Sequence, residues 1–173
     1  MSFGQSNQPR QYRMRQRLFA LGEDFDIENA DGQPVLHVDG KLLRVRETFV
    51  IQDLQGNEVA TIRQKLVALR PTMTISRGGA ELATIRKAWI SLLNDRFGIE
   101  VAGGEDLSVV GDIFDHEYEI RRGGDVVAAV SKQWFTFRDT YGITVAPGED
   151  DGMILGVAVA LDELAHDPDE QQH

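Results

Sequence analysis

Two clusters of side chains in this sequence are of the kind that does chemistry. The run Asp112-Ile113-Phe114-Asp115-His116-Glu117 sets an imidazole among three carboxylates. An imidazole is the usual general acid or base near neutral pH, and with carboxylates it makes a common metal-ligand set. No second group supports it. The other histidines are His37, His166 and His173, the last two in a polar tail, and no serine nucleophile stands at a supporting spacing. The run therefore reads as a loop or strand edge with solvated charges; no catalytic residue is assigned, and an enzyme using Asp112 to Glu117 is the lesser alternative. The second cluster is cationic. Arg13, Arg15 and Arg17 interleave with Tyr12, Met14 and Leu18, which marks a period-two strand with an arginine face. With Arg44 and Arg46 these form a candidate strip for an anionic phospholipid or phosphate ligand, set against the plain reading of a solvated outer strand face.

Other candidate motifs carry less. Glu149-Asp150-Asp151 lacks the alternating oxygen ligands of a calcium loop and reads as a negatively charged helix cap. Gly103-Gly104 and Gly123-Gly124 are not followed by the Lys-Ser/Thr ending of a phosphate loop. The absence of cysteine excludes a thiol nucleophile, a zinc ribbon and a redox pair. No cofactor and no metal are expected.

The net charge of −10 is unevenly distributed. Residues 1–90 carry 13 Lys+Arg against 10 Asp+Glu, whereas residues 91–173 carry 5 against 18. An anionic partner would prefer the first half, while the overall acidity speaks against nucleic acid, whose binding leans on phosphate neutralisation. Arginine outnumbers lysine 14 to 4, a bias that fits a GC-rich genome or a high-salt habitat equally well.

Such residues need a frame, and the sequence shows where it is anchored. Gly152 to Leu161 is the longest apolar run, preceded by Asp150-Asp151 and followed by Asp162-Glu163-Leu164. The aspartates suit a helix N-terminus, and two alanines and two leucines favour a helix over a buried strand. A bilayer span needs about 20 apolar residues, so this run is too short to cross one. Hydrophobic all round, it must be enclosed.

The enclosing wall is a repeat. Phe25 to Val38 has the form strand, glycine turn, strand; Phe49 to Ile62 repeats it 24 residues on, and Thr74 to Ile85 and Glu119 to Val130 repeat it with a loop shorter by one. Each reads as a hairpin. Lys41, Lys65, Lys87 and Lys132 follow the copies, as a solvated rim or edge guard rather than a binding ring. Linking strands are expected over Leu43 to Glu47, Leu66 to Leu69, Ala88 to Leu93, Phe97 to Val101, Leu107 to Asp112 and Thr136 to Val145, with a short helix as the alternative over Trp89 to Phe97. Trp89, Trp134, Phe135, Phe137 and Tyr141 are assigned to packing between wall and helix. Residues 1–10 and 166–173 read as disordered ends, and 11–165 as one domain.

The hairpin series, the segment Ser131-Lys132-Gln133-Trp134-Phe135-Thr136-Phe137-Arg138-Asp139-Thr140-Tyr141-Gly142-Ile143 and the closing apolar helix together resemble the LURP-one-related family, which is grouped with the tubby C-terminal domain and the phospholipid scramblases. The resemblance implies a mainly β fold (α+β in some schemes), a twelve-stranded closed antiparallel barrel around a buried C-terminal hydrophobic helix. For function it implies a non-enzymatic binding or scaffold domain, with a scramblase-like lipid-handling role as the alternative. Tubby domains bind phosphoinositides through basic residues, but their positions have no residue-by-residue match here. The expected location is cytoplasmic, or peripheral at a membrane if an anionic lipid is bound; a protein partner is not identifiable.

Overall fold

The computed structural model describes residues 7–15, 24–43, 46–65, 70–87, 97–134 and 140–165. The strands are β1 (Arg10–Arg15), β2 (Phe25–Asn29), β3 (Pro34–Leu43), β4 (Arg46–Asp53), β5 (Glu58–Gln64) and β6 (Thr72–Arg77), then β7 (Ala80–Lys87), β8 (Phe97–Val101), β9 (Leu107–Asp112), β10 (Glu117–Arg122), β11 (Asp125–Ser131) and β12 (Thr140–Val145). Each pairs antiparallel with its chain neighbours, and β1 pairs with both β2 and β12, which closes the sheet into a barrel. The helix α1 (Asp151–Ala165) follows β12.

The four-copy repeat extends to the backbone. In the hairpins β2–β3, β4–β5, β6–β7 and β10–β11 the register slips immediately after an isoleucine, at Ile27, Ile51, Ile75 and Ile120. A bulge of this kind bends and twists a strand, as closure requires. Each of these isoleucines is fully buried. The first two turns also share their chemistry: the Asn29 side-chain oxygen accepts from the amides of Asp31 and Gln33, and Asp53 Oδ1 accepts from those of Gln55 and Asn57. Gly32 and Gly56 complete these turns at φ of 79° and 85°, where a glycine is favoured.

Inside, α1 is buried on every side, with only Glu163 and Ala165 partly open. It lies close against β5 and β6. A Cβ on Gly152 would stand 2.6 Å from Val59 Cγ1 and from Arg77 Nη2, and one on Gly156 would stand 3.0 Å from Ile75 Cγ2. These glycines let the helix backbone approach the wall. The end of the barrel where α1 enters carries Arg10, Val145 and the four hairpin turns; at the other end α1 leaves beside the β9–β10 turn.

Several expectations change. β1 starts at Arg10, so the N-terminal tail ends sooner than position 10. Leu43 to Glu47 is not a separate strand: β3 runs on to Leu43, paired with Arg46 at the start of β4, because these hairpin arms are longer than their apolar alternation. Trp134 is 46 % exposed and does not pack between wall and helix, whereas Tyr141 is fully buried. The expectations for residues 1–6, Leu66 to Leu69, Ala88 to Leu93, Trp89 to Arg96, Phe135 to Asp139 and 166–173 lie outside the described residues. Val157→Asp should abolish folding, because it puts an unpaired charge where the side chain is fully buried; loss of soluble, cooperatively melting protein is the expected result.

Candidate functional site

The entry end is held by charge. Glu149, Asp150 and Asp151 each meet an arginine from a different strand. Arg122 of β10 grips Glu149 in a two-bond fork at 2.6 and 2.9 Å, and Arg77 of β6 grips Asp150 likewise at 2.8 and 2.7 Å. Arg10 of β1 donates from Nε to both oxygens of Asp151, at 2.8 and 2.6 Å, and Nη2 donates to Oδ1 as well. The Tyr12 hydroxyl completes the buried Asp151 site by donating to Oδ2 at 2.5 Å. Asp150 is the N-cap, its Oδ1 accepting from the Met153 amide at 3.0 Å.

The electrostatics follow from these contacts. Burial alone would raise the Asp150 carboxyl, but the Arg77 fork and the Met153 amide hold it below the ordinary carboxylate value. The hydrogen bonds to Asp151, Asp150 and Glu149 raise the pKa of Arg10, Arg77 and Arg122 respectively. Burial, then the Asp151 hydrogen bond, push the Tyr12 phenol far above its ordinary value, so it is a fixed donor.

Beside this cluster lies a pocket of about 360 Å³ between β1 and the first two hairpin turns. Tyr12, Val35 and Ala30 supply carbon walls; Arg10, Gln11, Asn29, Asp31, Asp53 and Gln55 supply polar edges; and Leu54 stands at the lip, 60 % exposed.

At the exit end the Asp112 to Glu117 run is a turn whose Asp112 and Asp115 are exposed, as the sequence suggested, but the imidazole is not among the solvated groups. His116 is 1 % exposed, and its Nε2 lies 2.7 Å from Oδ1 of buried Asp162 on α1. The imidazole stacks on Tyr141 with ring centroids 4.3 Å apart and planes 28° from parallel. Its φ of 54° is unusual for a residue with a side chain, and a tight turn holds it there, with Asp112 Oδ1 accepting from the Asp115 amide. Glu117 meanwhile accepts from the Ser131 hydroxyl and the Lys132 amide. Burial, then Asp162, raise the pKa of the Tyr118 and Tyr141 phenols well above the ordinary value. Within this run His116 thus fastens α1 to the wall, and its imidazole is not presented to a substrate. Among the described residues no group of three or more His, Asp or Glu is placed to hold a metal ion.

The arginine strip is divided. Arg13 is bound by Glu28, its Nε donating at 2.6 Å, and stands level with Pro34. Arg46 lies opposite Leu43, nine residues farther along β3, about 30 Å away at the rise of a strand. Arg15 is placed by backbone at the end of β1, and Arg17 and Arg44 lie outside the described residues. Sequence reasoning missed Arg10, Arg77 and Arg122. A signal for two of them was present: Arg77-Gly78-Gly79 and Arg122-Gly123-Gly124 put an arginine at the same point of two hairpins, opposite the acidic run.

A closed twelve-stranded antiparallel barrel around an apolar C-terminal helix is the arrangement that the resemblance implied. The LURP-one-related family model matches residues 10–162, and the chain belongs to that family. It is 27 % identical over 158 residues to the uncharacterized protein YxjI of Bacillus subtilis, covering 91 % of this chain and 95 % of that one. A solved structure of a protein from Arabidopsis thaliana shares the fold, with a TM-score of 0.70 at 18 % identity over 94 % of each chain.

Arg10→Ala should cost about 3 kcal/mol, since it strips the guanidinium from a buried carboxylate; chemical denaturation measures this. Asp150 gives an acid dependence of known sign. A carboxyl depressed in the folded state stabilises above its unfolded pKa, and that contribution is lost as the pH falls through the folded value. The stability gap between the wild type and Asp150→Asn should be full above a pH of about 4 and close below it in pH-dependent melting.

Proposed function

We propose that this chain is a non-enzymatic binding domain that recognises an anionic lipid headgroup or phosphate ligand at the exit end of its barrel. The carrying observation is strand direction. β1, β3, β5 and β7 all end there and β4 and β6 begin there, which brings Arg15, Lys41, Arg46, Arg63, Lys65, Arg70 and Lys87 to one rim. All four repeat lysines fall at this end, because Lys132 follows β11 there, 3.8 Å from Asp115. The filled lumen supports an outer site, since α1 leaves no room inside for a ligand. The buried His116–Asp162 pair gives the enzyme reading no support. No helix among the described residues is long and apolar enough to cross a membrane, so lipid contact in this reading is peripheral.

Flotation at low salt with phosphatidylcholine vesicles, with and without phosphatidylserine or a phosphoinositide, tests this. Retention is expected on the anionic vesicles only, falling with added salt and in a triple Arg46→Gln, Arg63→Gln, Arg70→Gln variant. Displacement by soluble inositol phosphate would identify the phosphate group, rather than the lipid surface, as the ligand. No retention, or retention unchanged in the variant, would remove the proposal.

A further inference from the structure

The pocket at the entry end lies at the opposite pole from the cationic rim, and its chemistry is the reverse. Arg10 at its edge is neutralised by Asp151, so its charge is already matched inside the protein. At the mouth Asp31 and Asp53 have no lysine or arginine against them among the described residues, and Asp31 is exposed. Asp53 uses its carboxylate to order its own turn through the Gln55 and Asn57 amides and the Asn57 side chain, yet Asn29 performs the backbone part of that task in the preceding hairpin without a charge. The negative charge at 53 is therefore surplus to the turn. The same pocket is lined by the carbon surfaces of buried Tyr12 and of Val35, and by Leu54, which is exposed.

Carbon surfaces beside two carboxylates that no described lysine or arginine side chain pairs with fit a cation on an aliphatic stem. The volume of about 360 Å³ is at the small end for ligand pockets, enough for one long side chain with its flanking backbone. The exposed Leu54 adds an apolar contact beside the mouth that a free amine would leave unused, whereas the neighbouring residue of a peptide would cover it. We propose that this pocket is a docking site for an arginine or lysine side chain presented by an extended segment of a partner protein. It is independent of the anionic-ligand site, since the two use opposite ends of the barrel.

The test is an NMR titration of the full chain at low salt with three probes: a capped hexapeptide of alternating leucine and arginine, its glutamate counterpart, and agmatine. The arginine peptide should shift the amides of Asp31, Leu54 and Gln55, and the glutamate peptide should not. The double variant Asp31→Asn, Asp53→Asn should weaken binding about fivefold, as the loss of two exposed ion pairs allows. Its unchanged melting temperature would show that the turns survive. A control, Glu105→Gln with Asp125→Asn, removes equal charge at the same end outside the pocket and should leave binding unchanged. Equal weakening by the control, shifts with the glutamate peptide, or no loss in the pocket variant would overturn the site. Agmatine binding as tightly as the peptide would overturn the protein partner.

Discussion

A helix with no polar face cannot lie on a surface, and α1 has none: even Asp151 and Asp162 are buried. Everything else in the chain answers that constraint. Twelve strands close around the helix because a sheet with free edges could not shield it on all sides, and the four bulged hairpins supply the curvature for closure. The two glycines facing Val59 and Ile75 set how near the wall the helix can lie.

Apolar packing centres the helix but does not fix its height or rotation, since side chains of similar size can slide past one another. Polar groups at both ends remove that freedom. At the entry end three arginines from β1, β6 and β10 hold three consecutive carboxylates from three directions. At the exit end the His116–Asp162 pair fixes the last turn. A register shift of α1 by one residue would misplace all four contacts and leave the buried carboxylates Asp151 and Asp162 unmatched, a larger penalty than apolar slippage alone. The pairs of buried Asp151 and Asp162 in this way act on the register of the helix as well as on stability.

How much of this could be read in advance follows from what is local. The helix was legible because its signal lies in ten consecutive residues, and the hairpins because the strand, glycine turn, strand pattern recurs four times. The fastenings were not. Their partners lie 27, 73 and 141 residues apart for the three arginines, and 46 apart for His116 and Asp162, so nothing in a window of sequence joins them. Arg10 was counted with a polar tail and His116 with a solvated edge, each judged by its neighbours in sequence when the deciding neighbour was on α1. Arg13 and Arg46 are separated for a related reason. Alternation shows which face of a strand a residue takes, but only register shows its height on the barrel.

The same register distributes the surface charge. An antiparallel barrel alternates strand ends, so residues at matching points of a repeated hairpin collect at one pole. Lysines that follow the hairpins gather at the exit end, while the turn residues Asp31, Asp53, Glu58 and Asp125 gather at the entry end. A repeat that looks like a uniform motif in sequence thereby sorts its lysines and its turn carboxylates to different ends, although Asp112, Asp115 and Glu117 share the exit end and Arg10, Arg77 and Arg122 the entry end. With the lumen filled, these poles and the outer wall are what remains for recognition. The chain's net charge of −10 is then a poor guide to its partners, because a ligand meets one pole and not the average.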